Sequence, residues 1–292
     1  MKYTDDGNRA LAVILVNWNT HDDVASCGQA LESRVHVVVV DNASDDQERT
    51  RALARLHPHW TVVLRTENGG YAAGMNDGMR SALSRGFTHA LLLNPDTYPT
   101  ESLVDALWLR RDKGSVIGCR QLEVRPDGEE AEYTTWACLR NAKPIWPESK
   151  RLLPEKSVDI VSGAAMLVDL RDAASVGYMD ERYFHYKEEF DFCFRLRRAG
   201  FNIHHTSAAS LRHRRGGSLA ISSPTAHYYD LRNELLFLRW NFPLYELLRM
   251  PGLLKRALLG LVARPAGLRR ATRAAIFDAS LARTGRTGRS LG

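Results

Sequence analysis

Apolar runs that end in polar residues recur through the first hundred positions of the chain. Their composition, rich in Val, Ile and Leu, is typical of buried strands. The runs occupy residues 11–16, 35–40, 61–64 and 89–93. Helical patterns separate them, at about 20–31, 47–56 and 71–84. This alternation of strands and helices predicts an α/β fold with a parallel sheet and helices on both faces.

A polar side chain follows each predicted strand. These side chains belong to Asn17, Asp41, Asn68 and Asp96. Right-handed crossovers bring the carboxyl ends of parallel strands to one edge, where open α/β sheets bind their ligands. An acid after the second strand can accept a hydrogen bond from a base or a ribose. The pattern therefore predicts a nucleotide pocket, although a strand end must become polar in any soluble protein.

Asp96 follows the apolar run at 89–93, directly after Asn94 and Pro95. Pro95 cannot continue a central strand, so the carboxylate is expected at the carboxyl edge of the sheet. A single acid at that place can hold a divalent cation against a diphosphate. The alternative is a turn in which Asp96 caps the helix that follows Pro99.

The stretch 67–78 is dense in glycine where a helix is predicted to begin. It does not match the GxGxxG pattern, and the chain contains no GxxxxGK[ST] pattern, so neither a dinucleotide fold nor a P-loop is indicated. Small residues let a helix pack closely on a sheet and leave room for a ligand. Close packing alone also explains them.

Composition and charge leave the class of protein broad. An apolar content of 44% and a charged content of 25% are ordinary for a soluble globular protein. The net charge of +6 suits an anionic ligand or a membrane surface, and nothing indicates a nucleic-acid partner. Four widely spaced cysteines without a CxxC pair indicate reduced thiols, and argue against a zinc site or a disulfide framework. No segment predicts a signal peptide or a bilayer span, so a cytoplasmic protein is expected.

Taken together, the short motifs resemble those of glycosyltransferase family 2, and within it the bacterial rhamnosyltransferase-like branch. The resemblance covers about residues 10–242. The first motifs are Val16-Asn17-Trp18-Asn19, Val39-Val40-Asp41-Asn42-Ala43-Ser44, Asn68-Gly69-Gly70-Tyr71-Ala72-Ala73-Gly74-Met75-Asn76 and Leu93-Asn94-Pro95-Asp96-Thr97. The later ones are Ser162-Gly163-Ala164, Val176-Gly177-Tyr178-Met179-Asp180-Glu181, Tyr186-Lys187-Glu188-Glu189-Phe190-Asp191, His213-Arg214-Arg215-Gly216-Gly217-Ser218 and the Tyr-Tyr-x-x-Arg-Asn run that ends at Asn233.

The resemblance implies a GT-A fold and an inverting transfer from a nucleotide-diphosphate sugar with Mn²⁺ or Mg²⁺. Its best guess for the donor is dTDP-rhamnose or a similar dTDP- or UDP-sugar. The acceptor would be a hydroxyl of a glycan, a lipid-linked saccharide or a secondary metabolite. Asp96 matches the metal-binding acid of the family's DxD-like motif, in which Asn94 replaces the first acid, and His213 matches a downstream histidine near the metal. The implied donor-binding residues are Val16, Asn17, Asn19, Asp41, Asn68, Gly70, Asn76, Asn94, Asp96, Gly163 and Arg232.

Residues 188–200 predict a helix with acids first, bases last and a glycine just past its end. The helix dipole explains this distribution completely. Catalysis offers a second explanation, because a carboxylate opposite the leaving group can take the proton of an incoming hydroxyl. The family's Glu-Asp pair aligns with Glu188-Glu189, which makes Glu189 the candidate base and Glu188 the second choice. Asp191 and Arg195 are expected to brace this helix.

The segment 120–157 interrupts the strand–helix rhythm and, by resemblance, lies beside the acceptor. Its Trp136 and Trp146 could stack on a sugar or pack in the core. A strand is predicted over 158–168, with Gly163-Ala164 inside it. These parts complete a predicted GT-A domain over 1–243, with a donor half at 10–115 and an acceptor half at 116–243.

A basic tail is predicted over 244–292. Residues 251–292 contain nine Lys or Arg against the single acid Asp278. Two amphipathic helices are predicted, one with an apolar face formed by Leu253, Leu254, Leu258, Leu261 and Val262, the other with one formed by Leu268, Ala275, Ile276 and Ala279. Such a tail can lie on an anionic membrane, cover the core or contact a second copy of the chain. Residues 284–292 are expected to be disordered.

Two other functions compete with sugar transfer. A sugar-nucleotide nucleotidyltransferase would carry a glycine-rich phosphate loop with Arg and Lys after the first strand. The segment Asn17-Trp18-Asn19-Thr20 has neither. A non-catalytic nucleotide-sugar-binding protein would not need Asp96 and Glu189.

Overall fold

The computed structural model describes residues 4–5, 8–125, 127–140, 143–145, 155–214, 223–243, 265–289 and 291. Its strands are β1 (Thr4–Asp5), β2 (Asn8–Arg9), β3 (Leu11–Asn17), β4 (His36–Asp41), β5 (Thr61–Leu64), β6 (His89–Leu93), β7 (Thr97–Tyr98), β8 (Val116–Val124), β9 (Glu130–Tyr133), β10 (Trp136–Arg140), β11 (Lys143–Ile145), β12 (Lys156–Val158), β13 (Ile160–Val161), β14 (Ala165–Asp169) and β15 (Ile203–His213). The helices are α1 (His21–Gln29), α2 (Gln47–Leu56), α3 (Gly70–Ser84), α4 (Glu101–Trp108), α5 (Leu170–Ser175), α6 (Glu188–Arg198), α7 (Pro224–Asn241) and α8 (Ala266–Ser280), with 3-10 turns at Arg111–Lys113 and Glu181–Tyr183.

The central sheet has the strand order β12-β15-β8-β14-β6-β3-β4-β5, with β7 paired to β15 and β9 to β8. Strands β6, β3, β4 and β5 run parallel, as do β8 and β15. Antiparallel β14 joins these two parallel groups. The observed α/β sheet confirms the predicted fold class.

The parallel strands end level with one another. Asn17 at the end of β3 pairs with Asp41 at the end of β4, and Leu15 pairs with Leu93 at the end of β6. The residues that follow β3, β4 and β6 are therefore neighbours at one edge of the sheet.

Both faces of the sheet are covered by helices, because alternate residues of a strand point to opposite sides. Ala12 and Ile14 of β3 join the apolar cluster that includes helices α3 and α6. Leu11, Val13 and Leu15 join the cluster that includes helices α1 and α4. Helix α3 lies very close to the sheet, since a Cβ added at Gly78 would stand 2.3 Å from Ile14 Cγ2.

Two local predictions were wrong. The strand predicted over 158–168 is divided among β12, β13 and β14, and Gly163-Ala164 lie between β13 and β14. Thr100, and not Asp96, caps helix α4, since its hydroxyl accepts from the Leu103 amide. The alternative explanation of Asp96 as a helix cap is thereby removed.

The described part of the tail packs on the domain. The second predicted tail helix is observed as α8, whose Ala271, Ala275 and Ala279 are buried. Tyr228 and Tyr229 of α7 lie in one apolar cluster with Ala271 and Ala275. Of the three roles predicted for the tail, this packing corresponds to covering the core. The first predicted tail helix and Trp146 lie outside the described residues.

Hydrogen bonds hold the described residues 284–289, which corrects the expectation of disorder for that part of 284–292. Gly285 and Thr287 bond through their backbones to Arg232 and Tyr229 respectively, and Arg289 pairs with Asp278. Among the described residues, no helix combines the length and the apolar content that a membrane span requires.

Candidate active site

A cavity of about 300 Å³ opens at the carboxyl edge of the parallel strands. Five of the predicted donor-binding residues line it: Val16, Asn68, Gly70, Asn94 and Asp96. The remaining lining residues are Trp18, Thr20, Asn42, Tyr71, Pro95, Phe184, His185, Thr225, Tyr229, Arg286, Thr287 and Arg289. The edge that was predicted to bind a nucleotide therefore carries an open cavity.

Asp96 faces His213, the last residue of β15. His213 Nε2 lies 3.1 Å from Asp96 Oδ1, and both side chains are nearly buried. His213 Nδ1 lies 2.8 Å from the Tyr133 hydroxyl, which donates its proton to Gln121 in the assigned orientation of that amide. Tyr133 therefore accepts from Nδ1, and Nε2 is directed at the carboxylate.

This pair fits a divalent cation. Neighbouring ligands of an octahedral ion at about 2.1 Å stand about 3 Å apart, which matches the separation between Asp96 and His213. An imidazole held through its other nitrogen is the usual arrangement of a histidine ligand. Asp96 supplies the hard oxygen that Mg²⁺ and Mn²⁺ prefer, and the imidazole nitrogen is better suited to Mn²⁺.

Two acids, Glu188 and Glu189, open helix α6. Each has a buried Oε2 atom with no hydrogen-bond partner in the described part of the chain. Burial raises the pKa of Glu188 well above its usual value, and the Glu189 charge raises it further. Burial also raises the pKa of Glu189, against a smaller opposing effect of Lys187. Buried carboxyl oxygens without partners are costly, and such groups are typical of a reactive site.

Tyr71 connects the acids to the cavity. It lines the cavity, and its hydroxyl donates to the Gly163 carbonyl at 2.8 Å. A Cβ added at Gly163 would stand 3.4 Å from Glu189 Cβ. Burial raises the pKa of Tyr71, and the charges of Glu188, Glu189 and Asp96 raise it further. Gly163 therefore lies between the cavity-lining tyrosine and the candidate base.

The loop before α6 has an unusual backbone. Phe184, Tyr186 and Lys187 all have positive φ angles, of 67°, 67° and 72°. A positive φ costs about 1–3 kcal/mol at a residue other than glycine, so surrounding contacts must hold the loop in this conformation. Gly70 at the start of α3 also has a positive φ, and a Cβ there would stand 2.0 Å from the Phe184 carbonyl oxygen.

Arg232 and Asn233 of α7 supply those contacts. Asn233 Nδ2 donates to the carbonyls of Tyr183, His185 and Tyr186, each at 2.8 Å. Arg232 Nη2 donates to the Tyr183 carbonyl at 2.8 Å, and its Nη1 donates to Gly285. Arg232 is only 1% exposed and does not line the cavity, in contrast to its predicted place at the donor.

Asn17 and Asp41 lie behind the cavity wall. Asp41 is fully buried and accepts from Asn17 Nδ2, Ser44 N, Gln47 Nε2 and the Thr50 hydroxyl. Burial alone would raise its pKa, but these hydrogen bonds outweigh burial and lower it. All the acceptor positions of this carboxylate are thus used inside the protein. Asp41 therefore lies behind the cavity lining and not in it, and its contact with a nucleoside stays a prediction.

Two further predicted residues also lie outside the lining. Asn19 has a φ of 59° and its side chain donates to Asp45 at 2.9 Å. Asn76 is buried in α3 and donates to the Met179 carbonyl at 2.9 Å. Asp191 and Arg195 pair with each other at 2.6 Å, and Arg195 also bonds to the Tyr178 carbonyl, as expected of residues that brace helix α6.

Several lining residues were not predicted from sequence. Asn42 donates to Asn68 Oδ1 and to the Gly70 carbonyl, both at 2.9 Å. His185 is neutral at pH 7, because burial lowers its pKa to about 4.

The two tryptophans have different places. Trp136 packs in the core beneath Lys156, while Trp18 is 37% exposed at the cavity. The Tyr-Tyr-x-x-Arg-Asn run pointed to the region of Tyr229, but no pattern pointed to residues 286–289.

Comparisons with known proteins identify the family of the chain. The sequence model of Glycosyl transferase family 2 matches residues 13–169, more than half of the chain. A low-salt glycan biosynthesis hexosyltransferase of Haloferax volcanii is 28% identical over 77% of this chain and 74% of its own length. The N-acetylglucosaminyl-diphospho-decaprenol L-rhamnosyltransferase of Mycobacterium tuberculosis is 27% identical over 70% of this chain and 74% of its own. A dTDP-rhamnosyl transferase of Shigella flexneri is 24% identical over 72% and 73%.

Solved structures share the fold. S. aureus TarS 1–349 in complex with UDP-GlcNAc superposes with a TM-score of 0.60 at 16% identity, over 92% of this chain and 80% of that one. GalNAc-T7 with UDP, GalNAc and Mn²⁺ superposes with a TM-score of 0.63 at 12% identity, over 83% of this chain. This chain spans half the length of GalNAc-T7. The fold is that of the GT-A glycosyltransferases, and the chain belongs to glycosyl transferase family 2.

Proposed function

We propose that this protein is an inverting, metal-dependent glycosyltransferase that moves a sugar from a nucleotide-diphosphate donor to an acceptor hydroxyl. The observation that carries the proposal is that two different acid groups lie around Tyr71, a residue that lines the cavity. Asp96, beside His213, lines the cavity at the strand edge. Glu188 and Glu189 do not line it, and Gly163 lies between Glu189 and the lining residue Tyr71. Asp96 with His213 can bind a cation, and the glutamate pair can accept a proton.

The donor is proposed to be dTDP-rhamnose or a related dTDP- or UDP-sugar. Two of the relatives are named rhamnosyltransferases, and a structural neighbour holds UDP-GlcNAc. The exposed face of Trp18 at the cavity offers a stacking surface for a base or a sugar ring. The acceptor is proposed to be a hydroxyl of a saccharide, free or lipid-linked.

Asp96 and His213 would hold Mn²⁺ or Mg²⁺. When bound, such an ion neutralises negative charge on a departing diphosphate. Asp96 and His213 keep each other in place, since Tyr133 fixes the orientation of the histidine ring.

Glu189 is proposed as the base. The bond from the anomeric carbon to the diphosphate oxygen breaks while the acceptor oxygen bonds to the opposite face of that carbon. The acceptor proton moves to Glu189. Glu189 is partly exposed and Glu188 is only 4% exposed, so Glu189 is the more accessible to an acceptor. A raised pKa makes the carboxylate a stronger base near neutral pH.

The test is donor turnover by the purified protein with a panel of nucleotide-diphosphate sugars and Mn²⁺. We expect release of nucleoside diphosphate that stops with EDTA and returns with Mn²⁺. Asp96→Asn should lower the turnover severely, since a catalytic metal supplies several kcal/mol of stabilisation. Asp45→Asn is the matched control, because Asp45 is an exposed acid near the same edge that contacts Asn19.

The same assay separates the competing functions. Release of pyrophosphate instead of nucleoside diphosphate would identify a nucleotidyltransferase. Donor binding without turnover of any donor, with or without saccharide acceptors, would identify a non-catalytic binding protein. Full activity of Asp96→Asn in EDTA would refute the proposed role of the metal.

A further inference from the structure

The C-terminal segment 283–289 forms one wall of the cavity, and both sides of Arg286 are anchored. Gly285 donates its N–H to the Arg182 carbonyl and accepts from Arg232 Nη1, both at 2.8 Å. Thr287 donates its N–H to the Tyr229 hydroxyl at 2.9 Å. Arg289 binds Asp278 through two hydrogen bonds of 2.9 and 3.0 Å. The position of the Arg286 backbone is therefore set by its neighbours.

One positively charged side chain that lines the cavity, Arg286, has no ion-pair partner in the described part of the chain. The charged or titratable lining residues in the described part of the chain are Asp96, His185, Arg286, Arg289 and the two tyrosines Tyr71 and Tyr229. Arg289 is paired with Asp278, and His185 is neutral at pH 7. Arg286 has neither an ion pair nor a side-chain hydrogen bond among the described residues. Its positive charge opposes the rise that burial causes in the pKa of Tyr229, which also lines the cavity.

We propose that Arg286 binds the diphosphate of the donor, so that the C-terminal segment closes the donor site. This inference rests on the proposed function and adds a residue to it. A guanidinium matches phosphate oxygens with parallel N–H donors. Because the backbone on either side is already fixed, little further ordering is needed when a ligand binds. Arg232, which the family resemblance implied at the donor, uses its Nη1 and Nη2 donors on the Gly285 and Tyr183 carbonyls.

The experiment is calorimetry of wild type and Arg286→Gln with UDP and dTDP in the presence of Mn²⁺. We expect the variant to bind the better of the two diphosphates about tenfold more weakly, since a hydrogen bond to a charged group contributes about 1.5 kcal/mol or more. Arg286→Lys should lie between the two, because it keeps the charge and loses the paired donors. The melting temperature should not change, since the side chain has no partner in the described residues.

Arg273→Gln is the matched control, because it removes the same charge from an exposed position of α8. If Arg286→Gln binds the diphosphates as wild type does, the inference is wrong and the proposed function stands. An equal loss in Arg273→Gln would also overturn it, because the effect would then be one of net charge. If wild type binds neither these nor any other nucleoside diphosphate, the proposed function itself fails.

Discussion

At the scale of single residues, burial and hydrogen bonding assign different tasks to the acids. Asp41 is buried with all its oxygens satisfied, and its pKa is lowered. Glu188 and Glu189 each have one buried carboxyl oxygen without a hydrogen-bond partner in the described part of the chain, and their pKa values are raised. The first arrangement stabilises the charged form of Asp41. The second keeps a carboxyl group ready to exchange a proton.

Glu189→Gln is therefore expected to lower the transfer rate by about 10²–10⁴, the usual contribution of a general base, with donor affinity unchanged. The base must be ionised, so the wild-type rate should rise with pH through a pKa above 4.5, the usual value for Glu. The loss of rate at low pH should be absent from the residual activity of the variant. Steady-state kinetics over a pH series measures both effects.

Glu188→Gln is the control for this prediction and should retain most of the transfer activity. If Glu188→Gln abolishes transfer and Glu189→Gln does not, the base is Glu188. If both variants transfer at the wild-type rate, the base lies elsewhere in the chain.

At the scale of elements, helix α7 sets the position of helix α6. Three carbonyls of the loop before α6 accept from Asn233, and one of them also accepts from Arg232. The left-handed residues Phe184, Tyr186 and Lys187 hold Glu188 at the first position of the helix. The position of the two candidate acids thus depends on Asn233, a side chain that is not among the lining residues of the cavity.

Asn233→Ala should lower kcat more than it weakens donor binding, because the loop relaxes and the acids shift while Asp96 and His213 stay in place. Loss of the Asn233 hydrogen bonds should cost about 1–3 kcal/mol in stability, as expected when buried carbonyls lose their donor. Kinetics and thermal unfolding measure the two effects. Asn241→Ala is the control, since Asn241 lies on the same helix and its Nδ2 contacts Asp191 and Phe237, not the loop. Equal effects of both variants on kcat would contradict a positioning role for Asn233.

At the scale of the whole molecule, the tail belongs to the catalytic domain. Helix α8 covers Tyr228 and Tyr229, and the segment after it bonds to Arg232 and lines the cavity. The described part of the tail thus buries its apolar face on its own domain. Membrane or dimer contact through the tail, residues 244–292, stays a prediction.

Removal of residues 265–292 should therefore lower stability and donor affinity together. Each large apolar side chain that becomes exposed costs about 1.5–3 kcal/mol, and each kcal/mol lowers the melting temperature of a domain of this size by roughly 2–4 °C. Thermal unfolding and calorimetry with nucleoside diphosphate measure the two losses. Arg286→Gln should lose affinity alone. A truncated chain with unchanged melting temperature would contradict the packing of α8 on α7.

The sequence by itself determined the strands of the donor half, the edge at which they end and the family. Apolar runs and turn residues are local signals, so β5, α2 and β6 begin and end where their patterns predicted. Asp96 could be placed at the edge because Pro95 ends its strand. The motifs that carry the family resemblance are also local, each within a few neighbouring residues.

Only the tertiary structure decided which polar residues face the cavity. Asp41 and Asn94 both follow strands, yet Asp41 turns to donors from α2 and its own loop while Asn94 lines the cavity. Arg232 and Arg286 have the same side chain, but the Tyr183 carbonyl, 49 positions away in the chain, engages the first, and no described residue engages the second. Side-chain direction depends on contacts between distant elements, and such contacts leave no period in the sequence.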